Sequence, residues 1–511
     1  MLFLSPAIFP QKTQPNSPVF RDYKPPDSSR IFKRVDNSYQ LWQGFLLIKE
    51  ANDANPLAEH ELGIRYLTGD GFPVDTPKAI YWIKKAADQN LPAANYNYAI
   101  FLHNGWGVHW DPFEAYRRFI KAASSGMIEA EYVTGLLLTD NLVVARDLSR
   151  AYKYIKSAAS KGFKPASEVL REFHKRGIGI GLDSSLASNF QADSLKDNTS
   201  NGNIVDASWG INYLGFENDS LAQVDDKTLL NEVLKAGKQE LKNAIGQDAS
   251  KGIDSLFSEN ETSLEALRKA GEAGSPEALT LLGRCYERGL GVKKDIVLPT
   301  VEYIKSIRQD SPKGSRLLWN LMQQKGYFDI LKAGVDRKDP ASQFAYAALS
   351  ALHFSQMITE ADAVKLLEES SNANYPAAID ELGLCYFTGN MVSQNKQKGI
   401  DLWRRSEKLS GSRNAQVRLA VANIQGDQKY EDLRVSVKKL QDASNEGSLM
   451  AQVALGLCYE KGIGLRKDIS KAIHLYRLSA QRGSQGAYRA LRSLYDNIRP
   501  ADEIFSIHGD E

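Results

Sequence analysis

Three cysteines, seven histidines and a recurring aspartate are the side chains from which a reaction centre could be assembled in this sequence. Cys285, Cys385 and Cys458 would serve as nucleophiles with a histidine beside them, or as metal ligands with a second cysteine close by in the chain. No Cys-x2-Cys and no HExxH is present, and His60, His103, His109, His174, His353, His474 and His508 fall in no ligand spacing. There is no nucleophile elbow and no Gx4GK[ST]. Gly177-Ile178-Gly179-Ile180-Gly181 looks like a phosphate loop in composition, but no strand precedes it. Asp75, Asp111, Asp147, Asp183, Asp295 and Asp468 resemble an acidic set until their spacing is considered. The reading of these residues is therefore no catalytic set, no metal site and no cofactor site.

The spacing has a different explanation. Ala58, Ala94 and Ala130 are 36 residues apart, and between them Gly69, Gly71 and Asp75 are answered by Gly105, Gly107 and Asp111. A fixed period of this size marks a solenoid, in which each unit is a supersecondary element that cannot bury its apolar face alone. Within one unit Ala58, Leu62 and Tyr66 form one helical stripe, and Ala79, Trp82, Ile83, Ala86 and Ala87 a second. The glycine pair ends the first helix. The aspartate caps the second, with Pro77 or Pro112 in its first turn. Gly177 and Gly179 stand at those same turn offsets.

Gly63, Gly135, Gly283, Gly383 and Gly456 recur inside the first helix. A mid-helix glycine costs about 1 kcal/mol relative to alanine, so a repeated one implies close approach of a neighbouring helix. Ala99 and Ala420 are the small residues where glycine is missing. The cysteines follow two places after this glycine in three different units. They read as small core residues, too far apart to bridge.

Five segments follow. Residues 1–30, with six prolines between Pro6 and Pro26, read as a disordered N-terminal segment. Residues 31–183 form a first array, introduced by a helix of an incomplete repeat around Ser38–Ala54. Residues 184–261 are a linker or insertion rich in Ser, Asn and Asp. It holds sequons at Asn198, Asn218 and Asn260, docking-competent Trp209, Ile211, Tyr213, Leu214 and Phe216, and an amphipathic helix at Leu229–Ile245. Residues 262–497 form a second array, degenerate between Ser315 and Tyr375, where Leu298-Pro299 delays or kinks one helix. Residues 498–511 are a polar tail expected to fray.

With 64 basic and 62 acidic residues the net charge is +2, which provides no field for nucleic acid or an anionic membrane. No stretch approaches the roughly 18 apolar residues of a membrane helix. Met1–Pro10 is apolar but lacks a basic start and is broken by two prolines. The sequence leaves the compartment open: a soluble, cytoplasmic chain is favoured, with export as the alternative if Met1–Pro10 is the remnant of a signal peptide.

The string A-x3-LG-x2-Y-x2-G-x-G-x3-D-x2-KA, clearest at Ala58–Asn90 and Ala451–Gly483, resembles the Sel1-like repeat, a relative of the tetratricopeptide repeat. The resemblance implies an all-α fold, an α/α superhelical solenoid in two arrays, with first helices lining a concave face. It also implies adaptor roles in complex assembly, signalling or quality control. Cysteine-rich bacterial relatives, linked to β-lactam chemistry, carry a cysteine pair in every unit. That pair is absent here, as are a membrane anchor and a C-terminal prenylation box.

Function is thus expected between the consensus positions. Glu59, His60, Arg65, Asn95, Asn97, Phe101 and Leu137 are the candidate partner-binding residues on the first helices. Phe101 and Leu137 share the offset of Arg65, and an apolar row at a solvent-facing offset would suit a peptide. The expected activity is a non-enzymatic scaffold or adaptor with a protein or peptide partner. The competing expectations are a hydrolase of cell-wall or β-lactam-type substrates and an assembly subunit of an envelope complex.

Overall fold

The computed structural model describes residues 32–33, 44–175, 177–178, 263–289, 292–426 and 431–507. Their regular elements are all helical, so the chain is an all-α solenoid of helical hairpins. The insertion, its sequons and its expected helix lie outside the described residues, as do Asp183 and His508. The described residues form two compact units, 32–178 with 491–507, and 263–490.

In the first unit α1 (Gly44–Asn52) leads into three hairpins: α2 (Pro56–Thr68) with α3 (Thr76–Asp88), α4 (Pro92–Asn104) with α5 (Pro112–Ser124), and α6 (Ile128–Leu137) with α7 (Leu148–Ser160). The helix α8 (Lys164–Lys175) follows. As expected for the helix of an incomplete repeat, α1 lays Leu47 and Ala51 on Ala58 and Leu62.

One device recurs at the second-helix starts of the regular repeats. The Asp75 carboxylate accepts from Lys78 N at 3.0 Å while its own N–H donates to Tyr66 O at 2.9 Å. Asp147 and Asp468 do the same with Arg150 and Leu138, and with Lys471 and Tyr459. Asp111 caps Phe113 and Glu114. Asp75, Asp111, Asp147, Asp295 and Asp468 are thus one capping position repeated, which satisfies N–H groups that a helix start leaves unpaired. Gly69 closes the preceding helix with φ +80°, a left-handed conformation costly for any residue with a Cβ.

The recurrent mid-helix glycine meets the second helix of its own hairpin. A Cβ on Gly63 would stand 2.6 Å from Ile83 Cγ1, and on Gly456 2.6 Å from Tyr476 Cε1. Its occupant is therefore set by the residue 20 places on, which is Ile83, Ile155, Tyr303, Trp403 or Tyr476. The three cysteines are free and buried, and burial pushes the Cys285 thiol up to about 11 and Cys458 to about 12. Thiols so raised remain protonated at neutral pH and are poor nucleophiles.

The second unit opens with α9 (Ser263–Glu272) and α10 (Pro276–Arg288), paired with α11 (Val297–Arg308). Pro299 sits in the first turn of α11, which starts one residue later after its aspartate than α3 does. The degenerate stretch is still helical: α12 (Pro312–Met322) packs on α11, α13 (Tyr327–Asp336) packs on α14 (Pro340–Ala351), and α14 forms a hairpin with α15 (Glu360–Asn372). Leu318, Leu321, Tyr327, Leu331, Phe344 and Leu349 fill their shared core. The repeat resumes with α16 (Pro376–Thr388) and α17 (Lys396–Ser410), α18 (Arg413–Ile424) and α19 (Leu433–Asn445), α20 (Leu449–Lys461) and α21 (Ile469–Gln481), and the unit ends within α22 (Gln485–Asp496), at residue 490.

This unit also makes contacts far beyond neighbouring repeats. Arg482, 1 % exposed at its side chain, donates to both Glu277 oxygens at 2.9 and 2.8 Å and to Gly447 O at 2.8 Å. Asp310 accepts from Ser484 Oγ at 2.8 Å and from Gly486 N at 2.9 Å.

The tail departs from the expected fraying. Phe505, in a 3-10 turn at Glu503–Phe505, is fully buried with its ring 4.9 Å from Phe113, and Arg499 donates to Leu142 O and Val143 O at 2.7 and 3.1 Å. Phe505 as an aromatic anchor, Arg499 with its carbonyl acceptors and the Arg117–Asp502 ion pair hold the segment.

Candidate functional site

Glu59, His60, Arg65, Asn95, Asn97, Phe101 and Leu137 all lie on α2, α4 and α6, and every one is buried. Glu59 accepts from Gln89 Nε2 at 2.7 Å and pairs with Lys85 at 3.3 Å, so it ties α2 to the end of α3. Arg65 pairs with Glu61 at 3.1 Å. Asn95 donates to Leu91 O and accepts from Arg118 at 3.4 Å. The offset of Phe101 and Leu137 is not solvent-facing: both are 0 % exposed. It is the offset that Cys285, Cys385 and Cys458 occupy, which points into the inter-helix interior.

His60, Asn97 and Phe101 are brought together around a segment of the chain itself. Asn97 Oδ1 accepts from Lys33 N at 3.0 Å, and Asn97 Nδ2 donates to Lys33 O at 2.8 Å. The second Nδ2 hydrogen faces His60 Nε2 at 2.8 Å, which fixes the orientation of the amide. Phe32 stacks on Phe101 with ring centroids 4.8 Å apart, and Lys33 Nζ pairs with Glu129 at 2.9 Å. Phe32, Lys33 and Glu129 were not among the expected residues. Glu129 immediately precedes the first consensus alanine of its repeat, and Phe32 borders the proline-rich segment, so neither carries a periodic signal.

The second unit holds a cavity of about 150 Å³ lined among others by Arg308, Arg418, Val421, Met450 and Tyr476. At its edge burial pushes the Asp380 carboxyl up despite Ser406, Arg418 and Asn414, and pushes the Arg418 guanidinium down. Arg308 is held by Glu381. Arg418 Nε and Nη1 and Asp380 Oδ1, by contrast, are buried without a hydrogen-bond partner. Among the described residues no group of His, Cys, Asp or Glu has metal-ligand geometry, and no helix is long and apolar enough to cross a membrane.

The Sel1 repeat family model matches residues 56–91, 92–127, 128–163, 276–298, 376–410 and 449–484. A curated relative, DAP3-binding cell death enhancer 1 of Rattus norvegicus, is 30% identical over 108 residues, 21% of each chain. Its Mus musculus counterpart is 28% identical over the same length. The chain thus spans about a fifth of the length of the curated relatives it matches. Among solved structures, a protective antigen of uropathogenic Escherichia coli displaying an SLR fold is 20% identical with a TM-score of 0.31, covering 90% of this chain and 91% of that one. A Sel1 repeat protein from Oxalobacter formigenes is 30% identical with a TM-score of 0.24, covering 25% of this chain and 96% of that one.

Proposed function

The chain belongs to the Sel1-like repeat proteins, and on that premise we propose that it is a non-enzymatic scaffold or adaptor. It holds a protein or peptide partner against the face built by its first helices, the concave side of the superhelix. Repeats of this kind point to protein partners, and the fold is typically one without catalysis. The observation that supports this face is the grip of Asn97 on Lys33. Its amide makes with one residue the same two-bond exchange that a strand residue makes with its partner in an antiparallel ladder. Such contacts read backbone and suit a peptide of varied sequence. The DAP3-binding relatives agree in kind, over the fifth of their length that is shared.

The test is fluorescence anisotropy of labelled peptides with the full chain, its Asn97→Ala variant and its Phe101→Ala variant. Binding that falls at least about tenfold in Asn97→Ala, with a melting temperature near that of the parent, supports the reading. Unchanged binding with a large loss of melting temperature in both variants assigns the residues to packing alone. Turnover of a β-lactam or cell-wall substrate, abolished by one substitution, overturns the scaffold assignment.

A further inference from the structure

The segment in the grip of Asn97 carries more information than the face itself. Three separate contacts act on two adjacent residues: the Asn97 amide on the Lys33 backbone, the Phe101 ring on Phe32, and the Glu129 carboxylate on the Lys33 ammonium. They come from α4 and α6, and His60 on α2 orients the amide. Phe32 is only 5 % exposed, whereas the Lys33 side chain is 38 % exposed and reaches its acid at the surface. The backbone contact is indifferent to sequence. The other two select an aromatic residue followed by a cation, through stacking and charge.

We propose that Phe32–Lys33 is an internal stand-in for a partner. The first array recognises a peptide segment with an aromatic residue followed directly by lysine or arginine, and the chain's own N-terminal pair occupies that place until such a partner displaces it. The inference rests on the peptide-binding reading of this face. A tethered pair competes at the high effective concentration that tethering gives. A site closed nine-tenths of the time by its own segment binds a competitor about tenfold more weakly than an open one.

The probe is a labelled synthetic peptide spanning residues 27–38, with a control in which its Phe and Lys are both exchanged for alanine. Both are titrated into the full chain, into Phe32→Ala/Lys33→Ala, and into the milder Lys33→Glu. The peptide should bind the double variant about tenfold more tightly than the parent, Lys33→Glu should fall between, and the exchanged control should bind poorly to all three. Asn97→Ala in the double-variant background should abolish binding. Equal affinity of peptide and control for the double variant overturns the aromatic–basic assignment while leaving a sequence-indifferent peptide site intact. If neither variant gains affinity and both melt several degrees lower, the pair is a structural clasp and the inference fails. If no peptide binds any form and Asn97→Ala changes nothing, the face itself is not a peptide site.

Discussion

A Cβ at Gly283 would stand 2.4 Å from Tyr303 Cε1, closer than such contacts occur. Alanine ordinarily stabilises an exposed mid-helix glycine position by about 1 kcal/mol, but here the ring must move. Gly283→Ala should therefore destabilise by about 1–3 kcal/mol, read as a lower melting temperature. The double substitution with Tyr303→Leu should recover part of the loss. Asp75 makes a second test of opposite sensitivity. The Lys78 N–H, with the Lys78 ammonium beside it, holds the Asp75 carboxyl below its ordinary 3.8 against a smaller effect of burial. A depressed pKa means stability that is present above the unfolded value and lost as pH falls through the folded one. Asp75→Ala should cost about 1 kcal/mol at neutral pH. The difference from the parent should shrink as pH drops below about 3.8, followed by thermal melts across pH 2–6.

At the scale of the element, the helix starts at Thr76, Pro112 and Ile469 were legible because each cap places an aspartate at a fixed distance from a glycine turn, and the start at Leu148 because Asp147 keeps the 36-residue register although Asn141 and Val143 stand where the glycines would be. The helices between Pro312 and Asn372 were less so: Gly326 and Thr359 stand at the starts of α13 and α15 in place of aspartate, and the core residues follow no 36-residue register. The site was half legible. Asn97, His60 and Phe101 stood out as departures from the repeat consensus, whereas Phe32 and Glu129 matter only because folding places them beside those three. The tail was illegible for the same reason, since Phe113 and Arg117, which flank Phe505, lie far back in the sequence. Phe505→Ala should raise hydrogen exchange in residues 491–507 and at Leu142–Val143, with a loss of about 3–5 kcal/mol and little effect on exchange in α10.

At the scale of the whole molecule, stacked repeats are expected to be stabilised by nearest neighbours alone. The unit 263–490 departs from that rule through Arg482, whose guanidinium joins Glu277 to Gln452 and Gly447. Burial pushes the Glu277 carboxyl up, but Arg482 outweighs it and holds the group below its ordinary value. Removing the arginine leaves that carboxylate buried without its partner, so Arg482→Ala should cost about 3–5 kcal/mol. Hydrogen exchange should rise together in α10 and α20, although these helices are far apart in sequence.

The three buried thiols turn this joining of distant repeats into something that can be counted. Cys285, Cys385 and Cys458 sit at one equivalent place in three different hairpins, each shielded from solvent, so each is a clock that starts only when its own hairpin opens. A maleimide that reacts faster than the hairpins reclose, followed by intact-mass analysis, would sort molecules by how many clocks have started. A stack of independent hairpins would pass through singly and doubly tagged species. A stack joined end to start by Arg482 should show only untagged and triply tagged molecules, with the intermediate masses appearing once Arg482 is replaced.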